Sequence, residues 1–237
     1  MSGIKLEKRA EQVGILLAKK GITKAPTVRV GLALDVSGSA EWMFNNGVIQ
    51  ETVDRLLAVA LKFDDNGELD VWSFSNSYDA LPQATANDYN TYVKKNIIDN
   101  RNITKWYGTS YAPCMEAMRS FYFGDGSGSA KGFLGSIFGS KKPASAPNDT
   151  PAMILFVTDG SNDDRANAEK VLKAAQNSPV YWQMVGVGDP NLFGFLKQMA
   201  DDLPNVGFVN LAKLDMTDDQ LYDQLIADEF VEWVSKV

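Results

Sequence analysis

The sequence predicts an α/β fold, a doubly wound, mainly parallel sheet with helices on both faces, and three observations carry that prediction. Short apolar runs of strand length alternate along the chain with longer runs of helical period, as expected of strands whose two faces are covered by crossover helices. Oxygen-bearing motifs stand directly after predicted strands, the end of an open α/β sheet where ligands are held. With 237 residues, 45% of them hydrophobic, the chain can bury one large core.

Each element has its own signal. Leu6, Ala10, Val13, Leu16 and Leu17 have helical spacing, and a glycine stop follows Lys20, so an amphipathic helix leads the chain. Residues 1–25 are read as this helix and a linker, and 26–237 as the domain. Val28 to Leu34 is a Val- and Leu-rich strand that runs into Asp35; a helix-period stretch from Val48 to Phe63 and a strand from Leu69 to Phe74 follow. A helix begins near Ala112, with Pro113 at an early position where its missing N–H is not needed. The second half reads as strand Met153–Val157, helix Ala166–Gln176, strand Val180–Val187, helix Leu192–Ala200 and strand Val206–Leu211. One closing helix is expected from Thr217 to Val234. The Gly-, Ser-, Ala-, Pro- and Lys-rich stretch at about 125–149 predicts a flexible insertion, because it offers little apolar surface to offset ordering. It carries an apolar island, Phe133, Leu134, Ile137 and Phe138.

Composition removes several function classes. A net charge of −7 argues against a protein that tracks nucleic-acid phosphates. With no histidine and one cysteine, Cys114, disulfide frameworks, thiolate zinc sites and imidazole chemistry are excluded. Neither a signal-peptide run nor a stretch of ~18 apolar residues is present, so no transmembrane segment and a cytoplasmic location are expected.

Three loops carry the oxygens: Asp35-Val-Ser37-Gly-Ser39, Gly108-Thr109-Ser110 and Thr158-Asp159-Gly160. Residues two apart in an extended turn face the same side, so Asp35, Ser37 and Ser39 can converge while Gly38 permits the bend. Hydroxyls and carboxylates suit a hard divalent cation. The plain alternative is that Asp35, Ser37, Thr109 or Ser110 caps a helix. Asp163 and Asp164 are expected to favour the N-terminus of the helix after them, or to support the site from behind. Cys114, Trp72, Trp182 and Phe156 are read as core, and Trp106 and Tyr107 as either packing or walls of the cleft. Asp64 and Asp65, before Gly67, read as a polar turn, since the later ligands of a calcium loop are missing.

Asp-x-Ser-x-Ser, the later Thr and the later Thr-Asp-Gly resemble the metal-ion-dependent adhesion site of von Willebrand factor A domains. The blocks Val30–Ser39, Phe63–Phe74, Tyr107–Pro113, Leu155–Gly160 and Tyr181–Gly188 are together similar to the A-type domain of the TerF-like group of bacterial tellurium-resistance proteins. The likeness runs from Val28 to the C-terminus and implies a von Willebrand A, Rossmann-like fold. It also implies a metal site of Asp35, Ser37, Ser39, Thr109 and Asp159, with Mg²⁺ favoured over Mn²⁺ or Ca²⁺. The function it implies is non-enzymatic: a partner protein donates an Asp or Glu carboxylate to the metal, within a tellurium-resistance or stress-response complex that has TerD-like proteins as neighbours. Ala40 departs from the family pattern, which commonly has Met there.

Two other readings compete with it. A haloacid-dehalogenase-like, Mg²⁺-dependent phosphatase would use Asp35 as nucleophile, but needs an acid two residues on, where Ser37 stands, and a lysine that only Lys141 or Lys142 could supply. A scaffold would instead bind partners through residues 131–140.

Overall fold

The computed structural model describes residues 2–64, 66–124, 150–211 and 216–237. Asp65 and the stretch at 125–149, with its apolar island, Lys141 and Lys142, lie outside the described residues. The elements are α1 (Ser2–Lys19), β1 (Arg29–Asp35), α2 (Glu41–Asn45), α3 (Val48–Phe63), β2 (Leu69–Phe74), β3 (Tyr78–Ala84) and α4 (Ala112–Phe123). After them come β4 (Ala152–Thr158), α5 (Arg165–Ala174), β5 (Val180–Gly186), α6 (Gly194–Asp202), β6 (Val206–Asn210), α7 (Asp218–Leu225) and α8 (Asp228–Val234).

The strands form one sheet in the order β3-β2-β1-β4-β5-β6, parallel except for β3, which pairs antiparallel with β2. The chain therefore winds outward in both directions from β1 and β4, and the order reverses between them. In register, Leu32 lies between Val71 and Leu155, and Ala33 between Trp72 and Phe156.

Alternation along each strand feeds two cores. Val30, Leu32 and Leu34 of β1, with Met153, Leu155 and Val157 of β4, join α1, α3, α7 and α8 on one face. Ala33, Phe156, Trp182 and Met184 join α4, α5 and α6 on the other. Gly31 faces α4 and must lack a side chain, because a Cβ there would stand 2.7 Å from the Tyr122 hydroxyl. Helix α1 is seated on the first layer by the buried guanidinium of Arg9, which donates to Asp218 at 2.9 Å, to Tyr89 at 2.8 Å and to Glu51.

Several expected elements differ. Strand β3 was not anticipated; Pro82, Asp79 and Gln83 give it little strand character, and as an antiparallel edge it tolerates a proline that a central strand would not. Short α2 and the π-helical turn Lys94–Ile98 were likewise missed. The closing helix is two: Ile226 leaves helical geometry at φ −107°, ψ 47°, and α8 restarts after an extended Ala227. Ile226, at the break, and Phe230, in the first turn of α8, are both fully buried.

Candidate metal centre

Asp35 ends β1 beside the reversal of strand order and is fully buried. Its Oδ1 accepts the Ser37 N–H at 2.9 Å, closing the tight turn expected of Asp-x-Ser. The Ser37 and Ser39 hydroxyls lie 3.2 Å apart, so the three side chains converge. Ser37 is buried and Ser39 is exposed, and the cluster thus opens to solvent on the Ser39 side. Gly38 donates to the Tyr107 carbonyl at 2.8 Å; a Cβ on it would meet the Trp106 carbonyl at 3.3 Å.

Asp159, at the end of β4, repeats the same local closure by accepting the Ser161 N–H at 2.9 Å. Between the two acids lies Thr158. Its Oγ1 donates to Asp35 Oδ2 at 2.7 Å and accepts from the Gly160 N–H at 3.1 Å. A hydroxyl has one proton, so the Tyr111 hydroxyl, 2.7 Å away, must donate to Thr158 rather than accept from it. A chain of donors, Tyr111 to Thr158 to Asp35, fixes the carboxylate.

Thr109 is bracketed by the other two loops. Trp106 donates to the Val36 carbonyl at 2.7 Å, on one side; on the other, Thr109 exchanges backbone bonds with Asp163, its N–H reaching Asp163 Oδ2 at 2.9 Å and its carbonyl accepting the Asp163 N–H at 2.8 Å. Thr109 is buried, and its loop is bonded to both acid-bearing loops, through Trp106 and Tyr107 on one side and through Thr109 itself on the other.

Of the two roles expected for Asp163 and Asp164, Asp163 takes the second, its carboxylate holding the Thr109 loop from behind. Asp164 begins α5 without a side-chain cap bond there. Its carboxylate instead accepts the N–H groups of Tyr111 and Ala112, at 2.8 and 3.0 Å, at the start of the preceding helix α4. Its charge therefore stands at the N-termini of two helices, α5 by sequence and α4 because the tertiary fold brings that helix to it. Neither Thr109 nor Ser110 caps α4; Tyr111 occupies the cap position, with no side-chain cap bond. Trp106 and Tyr107 divide their roles. The Trp106 ring packs edge-on against Phe44 at 5.2 Å, while Tyr107 projects into solvent. Trp106 adopts φ 68°, a left-handed conformation unusual for a bulky residue. Cys114, Trp72, Trp182 and Phe156 are fully buried, as expected of core.

Thr158 and Tyr111 were not assigned from sequence. Thr158 was part of the quoted motif, and its place on the α4 face of β4 follows the alternation of Ile154 and Phe156, but its pairing with Asp35 depends on a strand register that sequence does not display.

Burial, reinforced by the charge of Asp159, pushes the Asp35 carboxyl from its ordinary 3.8 up to about 6, against the lowering effect of bonds from Ser37 and Thr158. Two buried acids thus press on each other in a setting of neutral hydroxyls. Among the described residues no three Asp, Glu or Cys side chains gather as a metal cage. The oxygens at this cluster are two carboxylates and several hydroxyls, a hard donor set that fits a divalent cation in chemistry and would relieve the like-charge pressure on Asp35.

A doubly wound sheet with such a cluster at its reversal point defines a domain of the von Willebrand A class. The chain belongs to the family described as vWA-TerF-like, the vWA found in the TerF C terminus, whose sequence model matches residues 27–131 and 137–237. A Bacillus subtilis (strain 168) relative, the uncharacterized protein YcbR, is 34% identical over 241 residues, covering 100% of this chain and 88% of that one. Among solved structures, proximal thread matrix protein 1 of the mussel byssus superposes with a TM-score of 0.56 at 16% identity over 87% of this chain. The present chain spans 49% of the mussel chain's length. A further mussel structure, described with a zinc-occupied MIDAS motif, gives 0.54 at 19% identity, covering 87% of this chain and 48% of that one. The SpRpn10 VWA domain gives 0.55 at 11%, covering 84% of this chain and 95% of that one. These structural likenesses establish the fold.

Proposed function

We propose that Asp35, Ser37, Ser39, Thr109 and Asp159 hold a divalent cation, Mg²⁺ in preference to Mn²⁺ or Ca²⁺, and that the chain is a binding module engaging the Asp or Glu carboxylate of a partner protein there. The observation that carries this reading is the pairing of fully buried Asp35, fixed by the Ser37 turn and the Thr158 hydroxyl, with buried Asp159, fixed by the Ser161 turn, the Asp35 carboxyl being driven up to about 6 by burial and like charge. Such mutual repulsion is what a bound cation relieves. When bound, the cation would supply an open coordination position for an oxygen from outside. The protein's own part is to orient: Thr158 and Ser37 hold Asp35, the Asp163 and Asp164 carboxylates fasten the Thr109 loop, and exposed Ser39 marks the open side.

Residues 26–237 act in this reading as the A-type domain, with residues 1–25 as a helix and linker attached to it. In this reading the domain works in a cytoplasmic tellurium-resistance or stress-response complex with TerD-like partners; the family description, which names the TerF C terminus, supports the link to TerF. No helix among the described residues is long and apolar enough to cross a membrane. Ser37, a poor proton donor where a phosphatase of the competing kind would need an acid, favours binding over turnover.

Thermal unfolding of the full chain tests the proposal. Mg²⁺ or Mn²⁺ is expected to raise Tm in a manner reversed by EDTA and absent in Asp35→Ala. An unchanged wild-type Tm across the metal titration overturns it.

A further inference from the structure

Trp42, Tyr107 and Leu192 are large apolar side chains left 42%, 62% and 44% exposed. Each belongs to a residue that stands beside a loop of the oxygen cluster, in the chain or in space. Trp42, in the first turn of α2 just beyond Ser39, leans its ring over Gly188 after β5, where a Cβ would come within 3.3 Å of it. Tyr107 has its carbonyl bonded to Gly38 at 2.8 Å. The carbonyl of Leu192 lies 2.8 Å from where a Cβ on Gly160 would stand. Of seven such exposed side chains among the described residues, these three belong to residues beside the oxygen cluster, whereas Ile4 and Ile15 are on α1, Ile98 ends the turn Lys94–Ile98 and Val237 is at the chain end.

We propose that Trp42, Tyr107 and Leu192 form the apolar rim of a docking surface for a partner segment in which a single Asp or Glu is flanked by large uncharged apolar side chains. The proposal rests on the metal reading above, which accounts for the central acid; the rim accounts for its neighbours. Charge excludes further acids from the segment, and the exposed apolar rim favours apolar side chains in their place. The chain carries a net charge of −7, and Asp163 and Asp164 stand beside the cluster, so an acidic tract would be repelled at every residue except the one that reaches the centre. Apolar neighbours avoid that repulsion and cover surface that is otherwise held in water. The backbone strain at Trp106 is in keeping with this: its left-handed conformation sends its own ring inward onto Phe44 while the next residue, Tyr107, projects outward beside Gly38.

The test is a display library of random peptides, about 12 residues long, selected on the full chain in Mn²⁺, with the best peptide synthesised and its Kd measured. Mn²⁺ binding by equilibrium dialysis is followed in parallel. The expected peptide carries one acid with Trp, Phe, Leu, Ile or Met close on either side, and EDTA releases it. Tyr107→Ser and Leu192→Ser, both at exposed positions, are each expected to weaken it roughly 10-fold while Mn²⁺ binding is retained. Acid-bearing peptides without apolar flanks, rim variants within about twofold of wild type, binding of phosphatidylserine vesicles in place of peptides, or no enrichment would each overturn the rim while leaving the metal site standing. A wild type that takes up no Mn²⁺ brings down the metal reading itself, and the rim with it.

Discussion

Asp70 and Asp35 are the same residue type on neighbouring strands, both buried and both with the carboxyl pushed up mainly by burial, yet they keep opposite company. Both lie on the α4 face of the sheet, Asp70 paired in register with Gly31 and Asp35 four residues further along β1. Asp70 accepts from Gln83 at 2.7 Å and from the Tyr122 hydroxyl at 2.9 Å, and the charge of Arg29 favours its ionised form. The Arg29 guanidinium stacks on the Tyr122 ring at 4.5 Å, which completes a closed network. Asp35 has a tyrosine of its own, Tyr111, but reached through Thr158, and the principal charge acting on it is another carboxylate. Burial of an acid is therefore not what marks a site in this sheet. What marks it is whether the fold brings the opposing charge itself or leaves that to something from outside.

That contrast can be broken from the Asp70 side first. Asp70→Ala strands the Tyr122 hydroxyl and removes the anion facing Arg29, and is expected to lower stability by ~2–4 kcal/mol in urea unfolding while the metal-induced Tm shift survives. A lost metal shift in a folded Asp70→Ala protein would show that the two acids are not separable. Asp35→Asn should do the reverse. In EDTA at pH 7 it removes the buried charge, and the rise from 3.8 to about 6 sets an upper bound of roughly 3 kcal/mol on the stability gained. The same variant should no longer respond to Mg²⁺ or Mn²⁺.

The pH dependence follows with its sign. Between 3.8 and about 6 the folded protein keeps a proton on Asp35 that the unfolded chain has released. The metal-free wild type should therefore lose stability from this group as pH rises through that window, by at most about 1.4 kcal/mol per pH unit. Asp70, also raised, contributes in the same direction, so the difference between wild type and Asp35→Asn isolates the site. Saturating metal should flatten or invert the slope. The smallest effect is expected at Trp106→Gly, where relief of the left-handed backbone offsets part of the lost ring contact with Phe44. Its stability change in denaturant should stay near ~1 kcal/mol, destabilising.

Much of the fold was legible because its signals are local. Val48–Phe63 and Leu69–Phe74 match the observed α3 and β2 residue for residue, since apolar period and the Asp and Gly that follow α3 are properties of neighbouring residues. β3 was hidden because its partner, β2, and not its own composition, makes it a strand. The split between α7 and α8 was hidden because no glycine or proline stands between Thr217 and Val234 to mark it.

For the site, the sequence by itself determined which side chains were available: Asp35, Ser37 and Ser39 on one turn, with Gly38 to permit it, Thr109 and Asp159 on two others, and no histidine or second cysteine to offer different chemistry. Turn geometry between residues two apart is short-ranged and therefore readable. Only the tertiary structure decided that Thr158 would link Tyr111 to Asp35, that Asp163 and Asp164 would grip the loop and helix before them in space, and that Asp70 would be answered by Tyr122 and Gln83. Those outcomes join residues from 13 to 123 positions apart, and they depend on strand order and register, which are fixed by how both faces of the whole sheet are buried at once.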